Sequence, residues 1–225
     1  MRTVIGVLAM CATLMLGGCN TNSSGPPELD SSNLTYDGLA KVKNPKAHGA
    51  WMRPDFSLDG YNKIMLIGAG IEYRPVKPVP RAAASTASQF PLTAEQKERL
   101  RSIVRDAFRT ELAQSQKFQL VDEPGPDVLM VWGGLIDVVS FVPPDAVGRS
   151  NIYLNSIGEA TLVVELRDSE SNAVLVRIID RRAAQAQGPN VRSTSVTNWA
   201  EVQQVARTWA GRLRQALEEA TTWDR

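Results

Sequence analysis

The two cysteines of this 225-residue chain, Cys11 and Cys19, both lie close to its start. Every residue after Cys19 must therefore fold without a disulfide or a thiolate metal site. A chain of this length can bury a core large enough for one stable domain. The fold must consequently be held by apolar packing alone.

The first residues have the organisation of a lipoprotein signal. Arg2 precedes an apolar run from Val4 to Leu16. The run suits the h-region of a secretory signal peptide and is shorter than the ~20 residues that span a bilayer. Leu16-Gly17-Gly18-Cys19 then matches a lipobox, in which a peptidase cuts before a cysteine whose thiol carries a diacylglycerol. The sequence predicts a signal peptide over residues 1–18, cleavage between Gly18 and Cys19, and lipidation of Cys19.

Three other interpretations of this segment compete with the lipobox. It could be an ordinary signal peptide in which Cys19 is incidental, or the start site could be placed too early. A single membrane-spanning anchor is disfavoured because the apolar run is too short.

Asn20, directly after the predicted lipidated cysteine, indicates the destination. In diderm bacteria an aspartate at this position retains a lipoprotein in the inner membrane, so Asn20 predicts the outer membrane and its periplasmic face. Each buried acyl CH2 contributes about 0.8 kcal/mol, so several acyl chains would make the anchoring effectively permanent. We therefore expect the membrane to be one partner, through the N-terminal lipid.

The charge of the mature chain is balanced. Removal of residues 1–18 takes away Arg2 and leaves 25 − 1 = 24 basic residues against 24 acidic ones. Nucleic-acid binding proteins need a basic surplus. The composition therefore argues against a nucleic-acid partner.

Composition divides the chain after the signal peptide into three parts. Residues 19–35 are polar and rich in Ser, Gly and Pro, which predicts a flexible tether behind the acylated cysteine. Residues 36–60 have isolated apolar residues between turn formers, which predicts an irregular arm. Residues 61–222 contain the periodic segments and are expected to form one globular domain.

Four segments have the apolar pattern of strands. Residues 61–73 and 128–141 have unbroken apolar centres, as strands buried on both faces do. Residues 159–167 and 174–181 form a predicted hairpin with its turn at 168–172. A fifth, short strand at "KFQLV" is a further possibility.

Two segments have helical spacing. Thr93 and Gln96 form a predicted capping box, followed by an amphipathic helix to about Ser115. Asn198 and Glu201 are predicted to cap a second amphipathic helix. Its apolar stripe comprises Trp199, Val202, Val205, Ala206, Trp209, Leu213, Ala216 and Leu217.

These elements predict an α+β fold with the order strand, helix, strand, strand, strand, helix. We expect a mixed or antiparallel sheet of about four to five strands with both helices packed on it. A right-handed first crossover makes the strand at 61–73 parallel to that at 128–141. Loops 74–92, 142–156 and 184–197 then leave the same end of the sheet, and the tether enters at the other. This geometry predicts one composite loop surface facing away from the membrane, unless "KFQLV" forms a hairpin with 128–141.

The sequence offers weak candidates for catalysis or cofactor binding. His48 is the only histidine, which argues against a histidine triad or a multi-histidine zinc site and favours a surface histidine. Gly68-Ala69-Gly70 resembles the start of a dinucleotide fingerprint but lies within a strand pattern, so a glycine bulge or close strand packing is favoured. Gly133-Gly134 likewise predicts a bulge or bend. No cofactor, metal or catalytic residue is therefore predicted.

The densest charge group gives no catalytic pair either. Asp168 falls at the hairpin turn and Asp180 at the far end of the next strand, too far apart for two carboxylates to act together. Asp180 is expected to pair with a nearby arginine, Arg181 or Arg182, or to cap the loop. Among the tryptophans, Trp199 and Trp209 are predicted to be core, and Trp51, Trp132 and Trp223 are left open.

Three stretches of the chain resemble a known family. "PDFSLDGYNKIMLIG", "GEATLVVELRDSESNAVLVRIIDRR" and "NWAEVQQVARTWAGRLRQAL" are similar to the bacterial lipoproteins known as domain of unknown function 3313. The resemblance extends from about Tyr36 to Leu217, although the family's hairpin turn usually has Thr-Gly where this chain has Ser171-Asn172. It implies a periplasmic lipoprotein domain and no established activity.

These features favour a lipid-anchored outer-membrane protein that faces the periplasm. We expect a non-enzymatic binding or envelope-assembly accessory role, with an envelope protein as partner at the loop end of the domain. The alternative is a hydrolase that acts on an envelope polymer through carboxylates.

Overall fold

A computed structural model of the chain describes residues 25–77, 88–142, 156–185 and 195–223. These residues form eight strands and two helices. In chain order the elements are β1 (Leu29–Asp30), β2 (Ala40–Val42), β3 (Gly49–Met52), β4 (Lys63–Tyr73), α1 (Ala94–Leu112), β5 (Gln119–Val121), β6 (Val128–Ser140), β7 (Ser156–Asp168), β8 (Val174–Gln185) and α2 (Ser195–Ala220).

All eight strands belong to one mixed sheet, in the order β1-β2-β3-β8-β7-β6-β4-β5. β4 runs parallel to β6, as the predicted crossover through the first helix requires. β5 also runs parallel to β4, on the other side. The remaining neighbours are antiparallel, including the predicted β7–β8 hairpin.

The α+β class and the two helices are confirmed, but the predicted sheet of four to five strands is wrong. The missing strands, β1 to β3, come from residues expected to be tether and irregular arm. They are two to four residues long, too short for an apolar alternation to be visible in the sequence. β3 forms because the outer edge of β8 offers it partners from Gly49 opposite Ile179 to Met52 opposite Val176.

The first helix starts as predicted and the second starts earlier. The Thr93 side chain accepts from the Gln96 N–H, and the Gln96 side chain accepts from the Thr93 N–H, which completes the capping box. α2 begins at Ser195, so Asn198 lies within its first turn and is not its cap. Ala216 is exposed, whereas Trp209 and Leu217 are buried. Within the described ranges, no helix is long and apolar enough to cross a bilayer.

Both helices pack on the same face of the sheet. Ile64, Leu129 and Val131 share one core cluster with the helix residues Phe108 and Leu213. The alternate strand residues point the other way, and Met65, Val128 and Met130 form a separate small cluster there. We call the side of the sheet opposite α1 and α2 the open face, because no helix among the described residues covers it.

A β-bulge lies where the glycines of β4 and β6 meet. Gly68 is in register with Gly133 and Gly70 with Gly134, so Ala69 is an extra residue in β4. Gly70 has φ +100°, a conformation that L side chains rarely adopt. A Cβ on Gly134 would lie 2.8 Å from the Gly70 carbonyl oxygen. The glycines therefore serve close strand packing, as predicted.

This close packing makes Gly134→Ala destabilising and Gly133→Ala a matched control. The Gly134→Ala variant should lose about 1–3 kcal/mol of unfolding free energy, the usual cost of overpacking. A Cβ on Gly133 would meet nothing nearer than Val164 Cγ2 at 3.8 Å, so that variant should change little. Urea denaturation measures both, and equal losses would contradict the packing described here.

Candidate binding surface on the open face of the sheet

The C-terminal ends of β4, β6 and β8 lie at one end of the sheet, which we call the loop end. Ser140 of β6 pairs with Gly158, near the start of β7, and Ser156 pairs with Gln185 at the end of β8. β5 pairs with β4 and forms no hairpin with β6. The strands that precede the three loops, β4, β6 and β8, therefore run in the same direction, as predicted. Most of loops 74–92, 142–156 and 184–197 lies outside the described residues.

The predicted entry of the tether at the opposite end is wrong. Leu29 pairs with Val42, and β1 runs antiparallel to β2, which itself runs in the direction of β8. The chain therefore arrives at Leu29 from the side of the loop end. The additional strands β1, β2 and β3 cause this difference. β1 pairs antiparallel with β2, β2 with β3 and β3 with β8, so β1 runs opposite to β8.

Four charged side chains meet on the open face at the loop end, and we call them the loop-end cluster. Arg74 donates from Nε to Asp137 Oδ1 at 2.7 Å and from Nη2 to Asp137 Oδ2 at 2.6 Å. Arg74 Nη2 and Arg181 Nη2 both donate to Glu159 Oε1, each at 2.6 Å. Two arginines and two carboxylates leave the cluster without net charge.

Ion pairing keeps both carboxylates of the loop-end cluster ionised. The hydrogen bond from Arg74 lowers the pKa of Asp137. Burial acts to raise the pKa of Glu159, but hydrogen bonds from Arg74 and Arg181 outweigh it and the pKa is lowered. Asp137 also sits at a second bulge with φ 57°, which aims its carboxylate at the end of β4.

A second charge network lies further along the open face, and we call it the mid-sheet network. Glu165, only 5% exposed, accepts hydrogen bonds from Arg167 and from Arg177 Nε at 2.7 Å. Arg177 also donates to Asp37 at 2.5 Å. The Arg167 guanidinium lies 4.9 Å from the centre of the Trp132 ring. The buried carboxylate is therefore fully paired, as its desolvation requires.

Exposed apolar side chains separate the two networks. Ile67 is 36% exposed and Ile136 40% exposed, and Trp132 beside them is half-buried. Ile67 and Trp132 are register partners on the open face, and Ile136 lies on the loop-end side of them. The open face therefore presents an apolar strip between two internally neutralised charge groups.

The predicted pairing of Asp180 with an arginine is confirmed, on the helix-covered face. Arg182 Nε donates to it at 2.8 Å and Trp209 Nε1 at 2.9 Å, and His48 Nδ1 lies 2.7 Å away. Burial acts to raise the pKa of Asp180, but these contacts lower it. Although it holds Asp180, His48 is 62% exposed at its side chain, as predicted for a surface histidine.

Asp168 lies apart from Asp180, at the hairpin turn. Its carboxylate accepts from Ser171, at both the backbone N–H and the hydroxyl, and from the Tyr61 hydroxyl. The hydrogen bonds from Ser171 lower the pKa of Asp168. Asn172 completes the turn with φ 58°, as expected for an asparagine in this position. In the described part of the chain, no three His, Cys, Asp or Glu side chains come close enough together to hold a metal ion.

Residues 29–213 match the family model named "Protein of unknown function (DUF3313)". The chain belongs to this family. No curated protein sequence matches it.

Several solved structures are similar to this DUF3313 protein. Protein XCC0632 from Xanthomonas campestris has a TM-score of 0.43 at 12% identity, covering 75% of this chain and 90% of its own. The PelC dodecamer from Paraburkholderia phytofirmans has a TM-score of 0.36 at 10% identity, covering 78% and 96%. The rare lipoprotein B from Shewanella oneidensis has a TM-score of 0.28 at 16% identity, covering 70% and 94%.

Of the side chains that form the open-face site of the DUF3313 protein, the sequence singled out Arg181, as a neighbour of Asp180, and Trp132, without assigning either to this site. The predicted signal peptide 1–18, the cleavage position Gly18, the lipidation site Cys19 and the sorting residue Asn20 lie outside the described residues. Arg74, Asp137, Glu159 and Glu165 were not predicted at all. The available signal was the alternation of β7, in which Glu159 and Glu165 share one face with Arg167.

Removing Arg74 from the loop-end cluster should make the DUF3313 domain less stable near neutral pH. Arg74→Met removes the hydrogen bonds to Asp137 and Glu159, and we expect a loss of about 1–2 kcal/mol in unfolding free energy. Arg181→Met is the control, because Arg181 is 50% exposed and its surface pair should contribute less than about 1 kcal/mol.

The contribution of Arg74 to the unfolding free energy should depend on pH. The folded pKa values of Asp137 and Glu159 lie below the ordinary 3.8 and 4.5, so their pairing stabilises above these values and is lost as the pH falls through the lowered ones. The stability difference between wild type and Arg74→Met should therefore shrink below about pH 4.5. Denaturant curves from pH 7 to pH 3 measure it, and a difference independent of pH would contradict this assignment.

Proposed function

We propose that this protein is a lipoprotein anchored in the outer membrane, facing the periplasm. In this proposal it binds an envelope protein through the loop-end half of its open face and catalyses no reaction. The observation that carries the proposal is the apolar strip around Ile67 and Ile136, on a sheet face that no described helix covers. Exposed apolar side chains grouped on an uncovered sheet face favour a binding site.

The charge balance of the open face supports a partner of low net charge. In the loop-end cluster and the mid-sheet network, each carboxylate accepts from an arginine of the same group. Such internally paired groups have little charge left to attract an ionic ligand, so they act as a polar rim around the strip. This arrangement of an apolar centre and a polar rim is typical of protein interfaces.

The state of the carboxylates favours binding over the alternative of a hydrolase. A hydrolase of this kind needs one carboxyl group with a raised pKa as the general acid. Asp137, Glu159, Asp168 and Asp180 all have lowered pKa values because each accepts hydrogen bonds from neighbouring side chains. They are suited to holding the fold together.

The anchor is supported by the lipobox and by the short distance along the chain to the domain. Cys19 and Leu29 are 29 − 19 = 10 residues apart. Fully extended, this segment spans about 35 Å at most, so a lipidated Cys19 would keep the sheet close to the membrane. Asn20 favours the outer membrane.

Lipidation can be tested directly with Cys19→Ala. This variant should lose labelling by a fatty-acid probe in the cell and should accumulate as an uncleaved precursor. Cys11→Ala is the matched control, because Cys11 is removed with the signal peptide and labelling should persist. Persistent labelling of Cys19→Ala would contradict the lipobox assignment.

The binding surface can be tested by site-specific photocrosslinking in the cell. A photoreactive amino acid at Ile136 should give a reproducible crosslinked species of defined mass. The same amino acid at Asp106, exposed on α1 on the other side of the sheet, should not give that species. Identical products at both positions, or none at Ile136, would contradict binding through the open face.

A further inference from the structure

Two exposed apolar side chains lie in one loop, between β1 and β2. Tyr36 is 97% exposed and Leu34 is 53% exposed, both more than Ile67 and Ile136 of the open face. Single exposed apolar side chains are common on folded domains. What these two contact must therefore be inferred from how the loop holds them and from where it lies.

The loop presents Tyr36 on a tight turn. The Gly38 N–H donates to the Thr35 carbonyl at 2.9 Å, which closes a turn with Tyr36 and Asp37 at its centre. The Thr35 N–H donates to the Leu39 carbonyl at 2.9 Å, and the Leu39 N–H donates to Thr35 Oγ1 at 2.9 Å. The backbone that carries Tyr36 is therefore fixed by hydrogen bonds on both sides of it.

Two further contacts fasten this turn to the sheet. Arg177 of β8 donates to Asp37 Oδ2 at 2.5 Å, which joins the turn to the mid-sheet network. Leu39, directly after the turn, is completely buried. Turning Tyr36 into its own domain would break these contacts, so the exposure of its ring is a property of the fold.

The turn lies beside the point where the tether enters the sheet. β1 and β2 are only two and three residues long, so the turn and Leu29 are separated along the strands by about 10 Å. Leu29 follows Cys19 by 10 residues, at most about 35 Å of extended chain. A lipid on Cys19 would therefore hold this turn at the bilayer surface at all times. The anchor selects the bilayer as the apolar surface that the turn meets.

The charges around the turn favour an apolar contact over an electrostatic one. Lys43 pairs with Glu28, and Arg177 pairs with Asp37. Residues 28–43 contain three acidic and two basic side chains, so they have no basic surplus that would attract anionic headgroups. Tyrosine, in contrast, is enriched at membrane–water interfaces, because its ring is apolar and its hydroxyl reaches water.

Two apolar side chains are enough for such a contact because the anchor supplies the proximity. A short flexible linker gives the turn a high effective concentration at the bilayer, so even a weak insertion is populated. The lipid attaches the domain, and the insertion fixes its orientation.

We propose that Leu34 and Tyr36 insert into the interface of the bilayer in which Cys19 is anchored, and that this contact orients the domain on the membrane. The β1 edge of the sheet then lies against the lipid. β6, with Ile136, is five strand spacings away from β1, about 24 Å at 4.8 Å per spacing, so the proposed binding surface stays accessible. The inference rests on the proposed lipid anchor and adds a second membrane contact to it.

The test uses the full lipidated protein in phosphatidylcholine vesicles, with one nitroxide spin label. Since no cysteine follows Cys19, Leu34→Cys provides a single free thiol for the label. This label should be shielded from a water-soluble nickel chelate and accessible to molecular oxygen, which partitions into the bilayer. Asp106→Cys, exposed on α1, is the matched control, and its label should be open to the nickel chelate. Electron paramagnetic resonance measures both collision rates.

Substitutions of Tyr36 in the labelled Leu34→Cys protein test the insertion itself. Tyr36→Asp should lose the shielding, because a carboxylate is costly inside the bilayer. Tyr36→Trp should keep it, because tryptophan also favours the interface. Replacing part of the phosphatidylcholine with phosphatidylglycerol should leave the shielding unchanged, since the turn has no basic surplus. Circular dichroism checks that the variants fold.

Four results would overturn the proposal. A label at residue 34 that is open to the nickel chelate on vesicle-bound protein would overturn the insertion and leave the anchor standing. Shielding that Tyr36→Asp does not change would have the same meaning. Dipolar coupling between the labels of two copies in excess lipid would assign the turn to a second copy. A protein adduct of a photoreactive amino acid at Tyr36 in the cell would assign it to a protein partner.

Flotation separates failure of this inference from failure of the anchor. Protein that does not float with the vesicles would overturn the anchor and the insertion together. Protein that floats with an open label at residue 34 would overturn only the insertion.

Discussion

The parallel pairing of β4 with β6 is the constraint on which the rest of the structure depends. The crossover that joins these strands contains α1, which packs on one face of the sheet, and α2 packs beside it on the same face. Because no cysteine follows Cys19, this one apolar core stabilises the domain without a disulfide. The same pairing brings Gly70 against Gly134, since only glycine allows the two backbones to approach so closely at the bulge.

Both helices cover one face of the sheet, and the other face has charged side chains. Those that are buried there need ion-pair partners. Glu165 is almost inaccessible and is held by two arginines, and Glu159 is held by two more at the loop end. These pairs leave the apolar strip around Ile67 and Ile136 as the part of the open face without polar partners. The proposed binding role follows from this distribution, and the family, whose function is unknown, neither adds to it nor opposes it.

Predictions from the sequence succeeded where the pattern is local. The capping box at Thr93, the buried strands β4 and β6 and the β7–β8 hairpin each have a periodicity or turn signal within a few residues. β1 to β3 were missed because strands of two to four residues form only when a neighbouring edge is in place. The loop-end cluster was missed because Arg74 is 63 residues from Asp137 and 85 from Glu159. The alternation of charges along β7 was the one signal that could have indicated it.

The sequence by itself determined the two helices, the central strands and the lack of any cysteine after Cys19, and it alone carries the predicted lipid anchor at Cys19. The tertiary structure decided the number of strands, the direction in which the chain enters the sheet and the pairing of the charges. The physical reason is the separation along the chain over which each interaction acts. Apolar periodicity and capping act within one element, whereas strand partners and ion pairs are chosen between residues far apart in the chain.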